Sequence, residues 1–559
     1  MIQKALKIKL FGGNGLKFKF IDWIGEWLFG IVVLLYAAIL PIGAKFGVID
    51  DYLFLNTILS GRRLDFFIVP AVGRFFPLTG QEYNIVSFFS SLPSIFYVYN
   101  MFQFVVVIYL IYKILAVYVI DKINRKSITF GIILLMIFSP GFVTAWFRLF
   151  VGERSMLMFF LIFFLLYLLY QKKQKYVYLA CGLLAANLAL YYKEPSFLML
   201  GGFTFFHLLS GWKSLNIKQR LFDVLLIVSA ITFSLVYFFV IFTKKGIVNY
   251  GDTPYNPIIT FIKNMFSYML SDPFLIVLLL GLFLYRFYEI ISRKKKLEPL
   301  YDATIFSGVA YVLFFLKFKV FNYHYLLPAY VFSIFGLVHF LIRKEYIKKK
   351  VCKCLFGVAI VIYIFSALPV SLHLISYYKN VPNTFQDTLG FLTKYINKEE
   401  KRVTIYLDGV DRGGGKEIYV SFANYFNYKG LRDIQFDFKS DISSRNSVIF
   451  LEGNPESPFT VFHDSGTSQC EAGDLLVLTP YTSKFVDQRY LNELKNNYEL
   501  IYHSKAAFSI PNISIKSLLK YCLMQCNQGQ FSDDVMFSNN IFNWPDFYVF
   551  RKRVISSGV

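Results

Sequence analysis

Long apolar stretches set the pattern of this chain. Runs of about twenty residues almost free of charge recur from Trp23 onward, divided by short turns rich in Lys and Arg. Such runs are too long for a buried strand and read as membrane-crossing helices, several of them short for a full span unless their polar ends extend them. The pattern predicts eleven spans: Trp23–Ala44, Ile95–Ala116, Ile128–Trp146, Met156–Tyr170, Tyr176–Tyr191, Phe197–Leu209, Leu221–Phe242, Phe274–Ile291, Ala303–Leu316, Leu326–Ile342 and Val351–Ser371. The first span is longer than the apolar core of a cleavable signal and is read as retained.

Past Ser371 the rhythm changes. Arg402–Asp408 alternates as a strand, and Ile434–Phe438, Ser447–Leu451, Asp474–Leu478, Tyr498–His503 and Asp546–Arg551 read as further strands. Gly415–Tyr428, Tyr490–Asn497 and Ile515–Met524 have helical periodicity. The expected fold is therefore a polytopic α-helical membrane protein, residues 1–375, followed by a soluble α/β domain over residues 376–559. The run Gly413-Gly414-Gly415 lacks the spacing of a phosphate loop and reads as a strand-to-helix turn.

The loops give a direction. One set carries the N-terminal lysines, Lys122/Arg125/Lys126, Lys172/Lys173/Lys175, Lys213/Lys218/Arg220, Arg293–Lys296 and Arg343 to Lys353. The alternate set is poorer in basic residues, although it contains the long loop Lys45 to Ser94. Cytoplasmic loops carry the positive excess. The N-terminus is thus expected inside a plasma membrane, such as a bacterial inner membrane, and the C-terminal domain outside it. Within the first loop, Leu53–Leu64 and Phe88–Tyr97 have the composition of helices lying in the interface.

Composition sharpens this. The chain is 56% hydrophobic, with 64 Phe and 40 Tyr, beyond what a water-soluble surface could cover. A net charge of +22 suggests nucleic acid at first sight. From Ser371 onward, however, acidic and basic residues balance at about twenty each. The excess is a topological signal, and no nucleic-acid partner is expected. Cys470, Cys522 and Cys526 permit one disulfide outside the membrane, and Cys522 with Cys526 is too small a set for a metal site.

Four segments on the predicted outer face carry candidate chemistry. Asp50-Asp51, just past the first span, sets two carboxylates where each raises the other's proton affinity; capping of the next helix is the plainer reading. Arg148, Glu153 and Arg154 lie in a short turn whose basicity runs against the loop bias, so they suit an acid or a phosphate, or an arginine reaching for headgroups. Lys193, followed by Glu194 and Pro195, is the one cation of the next outer turn. Lys317, Lys319, His324 and Tyr325 lead into the tenth span and suit a phosphate and a sugar ring, or an ordinary aromatic belt. Their convergence on one face offers a general base together with cations for a leaving phosphate.

In order and spacing these segments resemble the GT-C superfamily of polytopic glycosyltransferases, which includes protein O-mannosyltransferases and the aminoarabinose transferase of lipid A. The resemblance rests on Asp50-Asp51 after the first span, on GERSMLMFFLIFFLLYLLYQKKQK from Gly152 to Lys175, on Tyr192-Lys193-Glu194-Pro195, and on His324-Tyr325-Leu326-Leu327-Pro328. It covers the membrane part as far as the tenth span. The chain departs from the pattern at Glu194, where many relatives have Gly, and at His324, where Arg is common.

The resemblance implies inverting transfer of a sugar from a polyprenyl-phosphate donor to a surface glycan or lipid-linked acceptor. Asp50 or Asp51, with a slight preference for Asp50, would serve as base. Arg148, Glu153, Arg154, Lys193, Lys319, His324 and Tyr325 would contact substrate. Some relatives use a divalent metal and others do not; the residues here imply no cofactor and leave that metal open. Competing readings are a transporter or flippase, and a polymerase or ligase, for lipid-linked glycans. The former predicts internal repeats and mid-span charges, and the latter paired arginines in a late outer loop.

Overall fold

A computed structural model of the chain describes residues 13–70, 73–118, 126–244, 256–317, 322–343, 350–398, 403–408, 415–431, 434–438, 459–464, 471–481, 488–528, 541 and 545–554. It opens with α1 (Gly13–Ile39) and then the first loop, which holds the short helices α2 (Tyr52–Asn56) and α3 (Gln81–Val86). Between them a small hairpin pairs β1 (Phe67–Val69) antiparallel with β2 (Arg74–Phe76). The expected interfacial helices are thus only partly present: Leu53–Leu64 breaks into α2 and a 3-10 turn, and residues 88–92 are irregular. Phe66, Ile85, Phe88, Phe89 and Leu92 are nonetheless exposed, which suits a loop lying at a lipid surface.

The bundle continues through α4 (Pro93–Tyr118), α5 (Lys126–Ile137), α6 (Pro140–Phe147), α7 (Gly152–Lys173), α8 (Tyr176–Tyr192), α9 (Ser196–Gly211) and α10 (Ile217–Val240). It closes with α11 (Pro257–Ser271), α12 (Leu280–Ile291), α13 (Pro299–Leu316), α14 (Leu327–Val338), α15 (Lys350–Phe365) and α16 (Ala367–Ile396). Among the described residues six helices are long and apolar enough to cross a membrane, or seven if one bent pair counts as a span. That pair is α5 and α6, which meet at 60° where Ser139-Pro140 breaks the predicted third span. Proline at the first turn of α6 supplies no N–H and cannot continue α5.

The α7 and α14 helices sit in the middle of the bundle, with Phe160 of α7 against Phe332 and Phe164 stacked on Phe335 at 5.3 Å. Close approach there needs small residues: a Cβ on Gly141 would lie 2.3 Å from the Tyr330 ring. On the rim, Leu221, Val224, Val228, Ile231, Leu235 and Phe238 form an exposed stripe along one face of α10. Such a stripe would be untenable in water and is at home in lipid.

The later elements build a six-stranded sheet from β3 (Val403–Asp408), β4 (Ile434–Phe438), β5 (Phe459–Asp464), β6 (Leu475–Leu478), β7 (Tyr498–Ser504) and β8 (Phe547–Lys552), in the order β4-β5-β3-β6-β8-β7. The first four run parallel, and β8 is antiparallel to both β6 and β7. Helices α17 (Gly415–Tyr428), α18 (Gln488–Asn497) and α19 (Ile515–Gln528) accompany it. The β5 strand went unpredicted, while the expected strand Ser447–Leu451, the glycines Gly413 and Gly414, and Cys470 lie outside the described residues. Residue 375 falls inside α16, which runs on from the membrane bundle and carries the sheet.

Candidate active site

The α16 and α17 helices reach back to grip the segment just after α1. Lys379 of α16 donates to the carbonyls of Ile39, Leu40 and Ile42 at 3.0, 3.2 and 2.5 Å, capping the C-terminal end of α1 with a cation. Gln386 donates to Phe46 O at 2.9 Å, and Tyr425 of α17 donates to Gly47 O at 3.1 Å. Ile49 N donates to Ser421 Oγ at 2.8 Å. Ile49 is held at φ +73°, a left-handed conformation that a β-branched residue adopts only under constraint. The strain sits immediately before the two carboxylates.

Those two acids have different environments. Asp51 is 7% exposed, and its Oδ2 accepts Gly47 N–H at 2.6 Å. Burial pushes its carboxyl up to about 7, assisted by Asp50 and opposed by the Gly47 N–H, Arg148 and Arg154. Gly47 gives this approach room, because a Cβ there would stand 3.3 Å from both Asp51 Oδ2 and Pro382 and crowd them. Asp50 is 44% exposed in its side chain and forms an ion pair with Arg148 at 2.8 Å. Burial alone would lower the Arg148 pKa, yet Asp50 and the phenols of Tyr378, Tyr481 and Tyr325 raise it.

Arg148 and Arg154 divide their labour. Arg154 is 1% exposed, and it donates to Ala145 O and Arg148 O at 2.6 Å, to Tyr83 OH at 2.6 Å, and to Leu149 O. It is spent on satisfying the carbonyls that end α6. Its Nη atoms are taken up by these acceptors, while its Nε has no hydrogen-bond partner among the described residues.

Glu153 and Lys193 form a buried ion pair at 2.9 Å. The Lys193 ammonium also lies over the rings of Phe76 and Tyr325 at 5.0 and 5.2 Å. Glu194, where the motif departs from its relatives, accepts from Arg74 Nε at 3.0 Å and from Phe75 N at 2.9 Å. The acid thereby pins the β1–β2 hairpin over the α8–α9 turn. His324 is 6% exposed, its Nδ1 has no hydrogen-bond partner among the described residues, and its ring meets Tyr325 at 4.5 Å. Arg148, Arg154 and Lys193 all act electrostatically on it.

The structure therefore brings Asp50, Asp51, Arg148, Lys193, Glu153, His324 and Tyr325 into one neighbourhood and withdraws Arg154 into its wall. Lys319 lies outside the described residues. Sequence reasoning passed over Tyr378 and Tyr481, which face Arg148 from α16 and from the loop after β6, and Ser421 and Tyr425 on α17. It also missed Glu82, a buried acid whose Oε1 accepts Ser155 OH at 2.7 Å and whose carboxyl burial pushes upward. No motif marks these residues; the doublet Tyr377-Tyr378 before Lys379, matching Tyr191-Tyr192 before Lys193, is the one available hint. Among the described residues no three of His, Cys, Asp and Glu converge as metal ligands.

Fold and site together define a polytopic helical membrane protein with a carboxylate, guanidinium and tyrosine cluster at one end of its bundle. No family model matches the chain, and no curated protein matches it in sequence. Among solved structures it is similar to the Archaeoglobus fulgidus oligosaccharyltransferase tethered with an acceptor peptide, at 12% identity and a TM-score of 0.43, over 72% of this chain and 64% of that one. The apo form of that enzyme gives 14% and 0.42, over 70% and 63% of the two chains. Its complex with Zn and sulfate gives 10% and 0.41, over 93% and 88%. In the first two alignments this chain spans just under two thirds of the enzyme's length. At these identities and TM-scores the likeness bears on no residue's role and on no step of a reaction.

Proposed function

We propose that the chain is a membrane glycosyltransferase that moves a sugar from a polyprenyl-phosphate donor to a surface glycan or lipid-linked acceptor. The observation that carries this reading is Asp51, a buried carboxyl raised to about 7, next to the Asp50–Arg148 ion pair. A general base works best when its pKa lies near the working pH. This supports Asp51 as the base in place of Asp50, which the sequence slightly favoured.

In this mechanism the acceptor hydroxyl gives its proton to Asp51 while its oxygen attacks the anomeric carbon. The bond from that carbon to the phosphate oxygen breaks on the opposite face, its electron pair stays with the lipid phosphate, and the configuration inverts. Arg148 exchanges Asp50 for the phosphate, a bidentate partner suited to its planar fork. Lys193, over Tyr325, adds a second cation, and the phenols of Tyr325, Tyr378 and Tyr481 offer a platform for a sugar ring. The site would open outside a plasma membrane, in keeping with the loop charges.

The test is sugar transfer in membranes holding wild type, Asp50→Asn or Asp51→Asn at matched protein levels, with radiolabelled polyprenyl-phosphate sugars as donors. Loss of transfer in Asp51→Asn, with the variant inserted normally, is the expected result. Full transfer in both variants would refute the carboxylate base and favour a carrier that flips the lipid-linked sugar.

A further inference from the structure

The α11 and α19 helices are the part of the molecule that the proposed reaction leaves unused. On α19, Ile515, Leu518, Leu519 and Leu523 are 36–64% exposed and fall at helical spacing on one face. Its opposite side is sealed by Ser514 and Ser517, whose hydroxyls meet at 3.1 Å. On α11, Ile258, Ile259, Ile262 and Phe266 are 45–66% exposed, again along one face. The other side of α11 is tied to the bundle, where Asn264 donates to Leu316 O at 3.0 Å and Tyr268 to Asn322 O at 3.0 Å.

The two helices are joined to each other. Lys516 at the start of α19 donates to Ser267 Oγ of α11 at 2.6 Å. Cations crowd this junction. Burial and Lys520 push the Lys516 ammonium down to about 8, and burial and Lys263 push Lys520 down as well. Beyond Ser271 the chain passes directly into the apolar segment 274–291, whose Val277, Leu284 and Phe287 are exposed as a lipid-facing span requires. The apolar face of α11 thus leads, within a few residues of chain, into a lipid-facing span of the bundle.

We infer that α11 and α19 form a foot on which the C-terminal part rests against an anionic bilayer surface, with Ile258, Ile262, Leu519 and Leu523 in the headgroup region and Lys263, Lys516 and Lys520 on lipid phosphates. Two observations choose lipid over a protein partner: the apolar face leads into a lipid-facing span, and the flanking cations complement anionic headgroups. The sheet that carries Tyr481, Ser421 and Tyr425 would then be held to the membrane at two points, α16 and this foot.

The full-length chain, with its native cysteines replaced by serine and a single spin-labelled cysteine at 519, 523 or the exposed control position 496, is reconstituted into phosphatidylcholine vesicles with or without phosphatidylglycerol. Collision rates with oxygen, which partitions into lipid, and with a water-soluble nickel chelate are compared. The expected oxygen-to-nickel ratio at 519 and 523 is several-fold above that at 496 when phosphatidylglycerol is present. The double variant Lys516→Glu/Lys520→Glu should bring it down toward the control. Ratios at 519 and 523 equal to that at 496 in every vesicle would overturn the inference. So would shielding from both reagents, which would mark a second copy or another protein on this face. Label mobility at 496 reports whether the charge-reversed variant is folded, and none of these readouts depends on sugar transfer.

Discussion

Asp51→Asn separates charge from shape. An asparagine oxygen can take the Gly47 N–H that Asp51 Oδ2 accepts at 2.6 Å, so the loop keeps its geometry while the ionisation disappears. The wild-type carboxyl rises from 3.8 to about 7, chiefly through burial. An unfolded chain loses this proton near 3.8, whereas the native one keeps it until about 7. Between those values the native state binds more protons, so its stability falls as pH rises and levels off above the native pKa. At about 1.4 kcal/mol per unit, the two units between pH 5 and 7 amount to about 3 kcal/mol.

Wild type should therefore lose about 3 kcal/mol relative to Asp51→Asn between pH 5 and pH 8. Thermal unfolding of the two detergent-solubilised proteins at both pH values reads this as a gap that opens on the alkaline side, with the variant the more stable. Activity should move the other way. Wild-type transfer rises about tenfold per unit below pH 7 and flattens above it, while the variant is inactive throughout. A wild-type melting temperature that tracks the variant at both pH values would show Asp51 already ionised at pH 5. The argument for it as a neutral-range base would then fail.

Lys193→Met leaves Glu153 buried without its partner and should cost about 3–5 kcal/mol in thermal unfolding, much of which the double variant with Glu153→Gln should restore. Arg148→Lys keeps the charge but loses the planar fork, and transfer measured at saturating acceptor should fall by about tenfold or more. Ser421→Ala removes the bonds to Ile49 N and O, and Tyr425→Phe the one to Gly47 O, each costing about 1 kcal/mol of stability. In kinetic assays each should lower kcat with little change in KM for the donor, because the base shifts while the phosphate contacts stay; unchanged kcat in both would show that α17 does not position the base.

The membrane character was legible in the sequence because it depends on local chemistry. A run of apolar residues cannot satisfy its backbone in lipid except as a helix, so the predicted spans fall largely on helical segments, of which six, or seven with the bent pair, are long and apolar enough to cross a membrane among the described residues. Ile434–Phe438 and Gly415–Tyr428 were legible from alternation and helical period. The β5 strand, paired between β3 and β4 in a parallel layer, was missed because its sequence Phe-Thr-Val-Phe-His-Asp lacks clean alternation. The bend was marked in the sequence by Ser139-Pro140-Gly141, and was missed because the apolar runs on either side were joined into one span. Asp50-Asp51 stood out by position alone, but nothing local separates the two acids.

Tertiary structure assigned them different environments. Asp50 meets Arg148, 98 positions away, while the segment leading to Asp51 is fixed by Ser421, 372 positions from Ile49. Arg148 and Arg154 stand six residues apart in one turn, yet one faces Asp50 and the other fills the wall with backbone carbonyls around it. A residue's type sets what it can do, and its own segment sets the element on which it stands. Its burial, charge partners and proton affinity come from side chains that only folding brings within a few ångströms, and these the linear order does not contain.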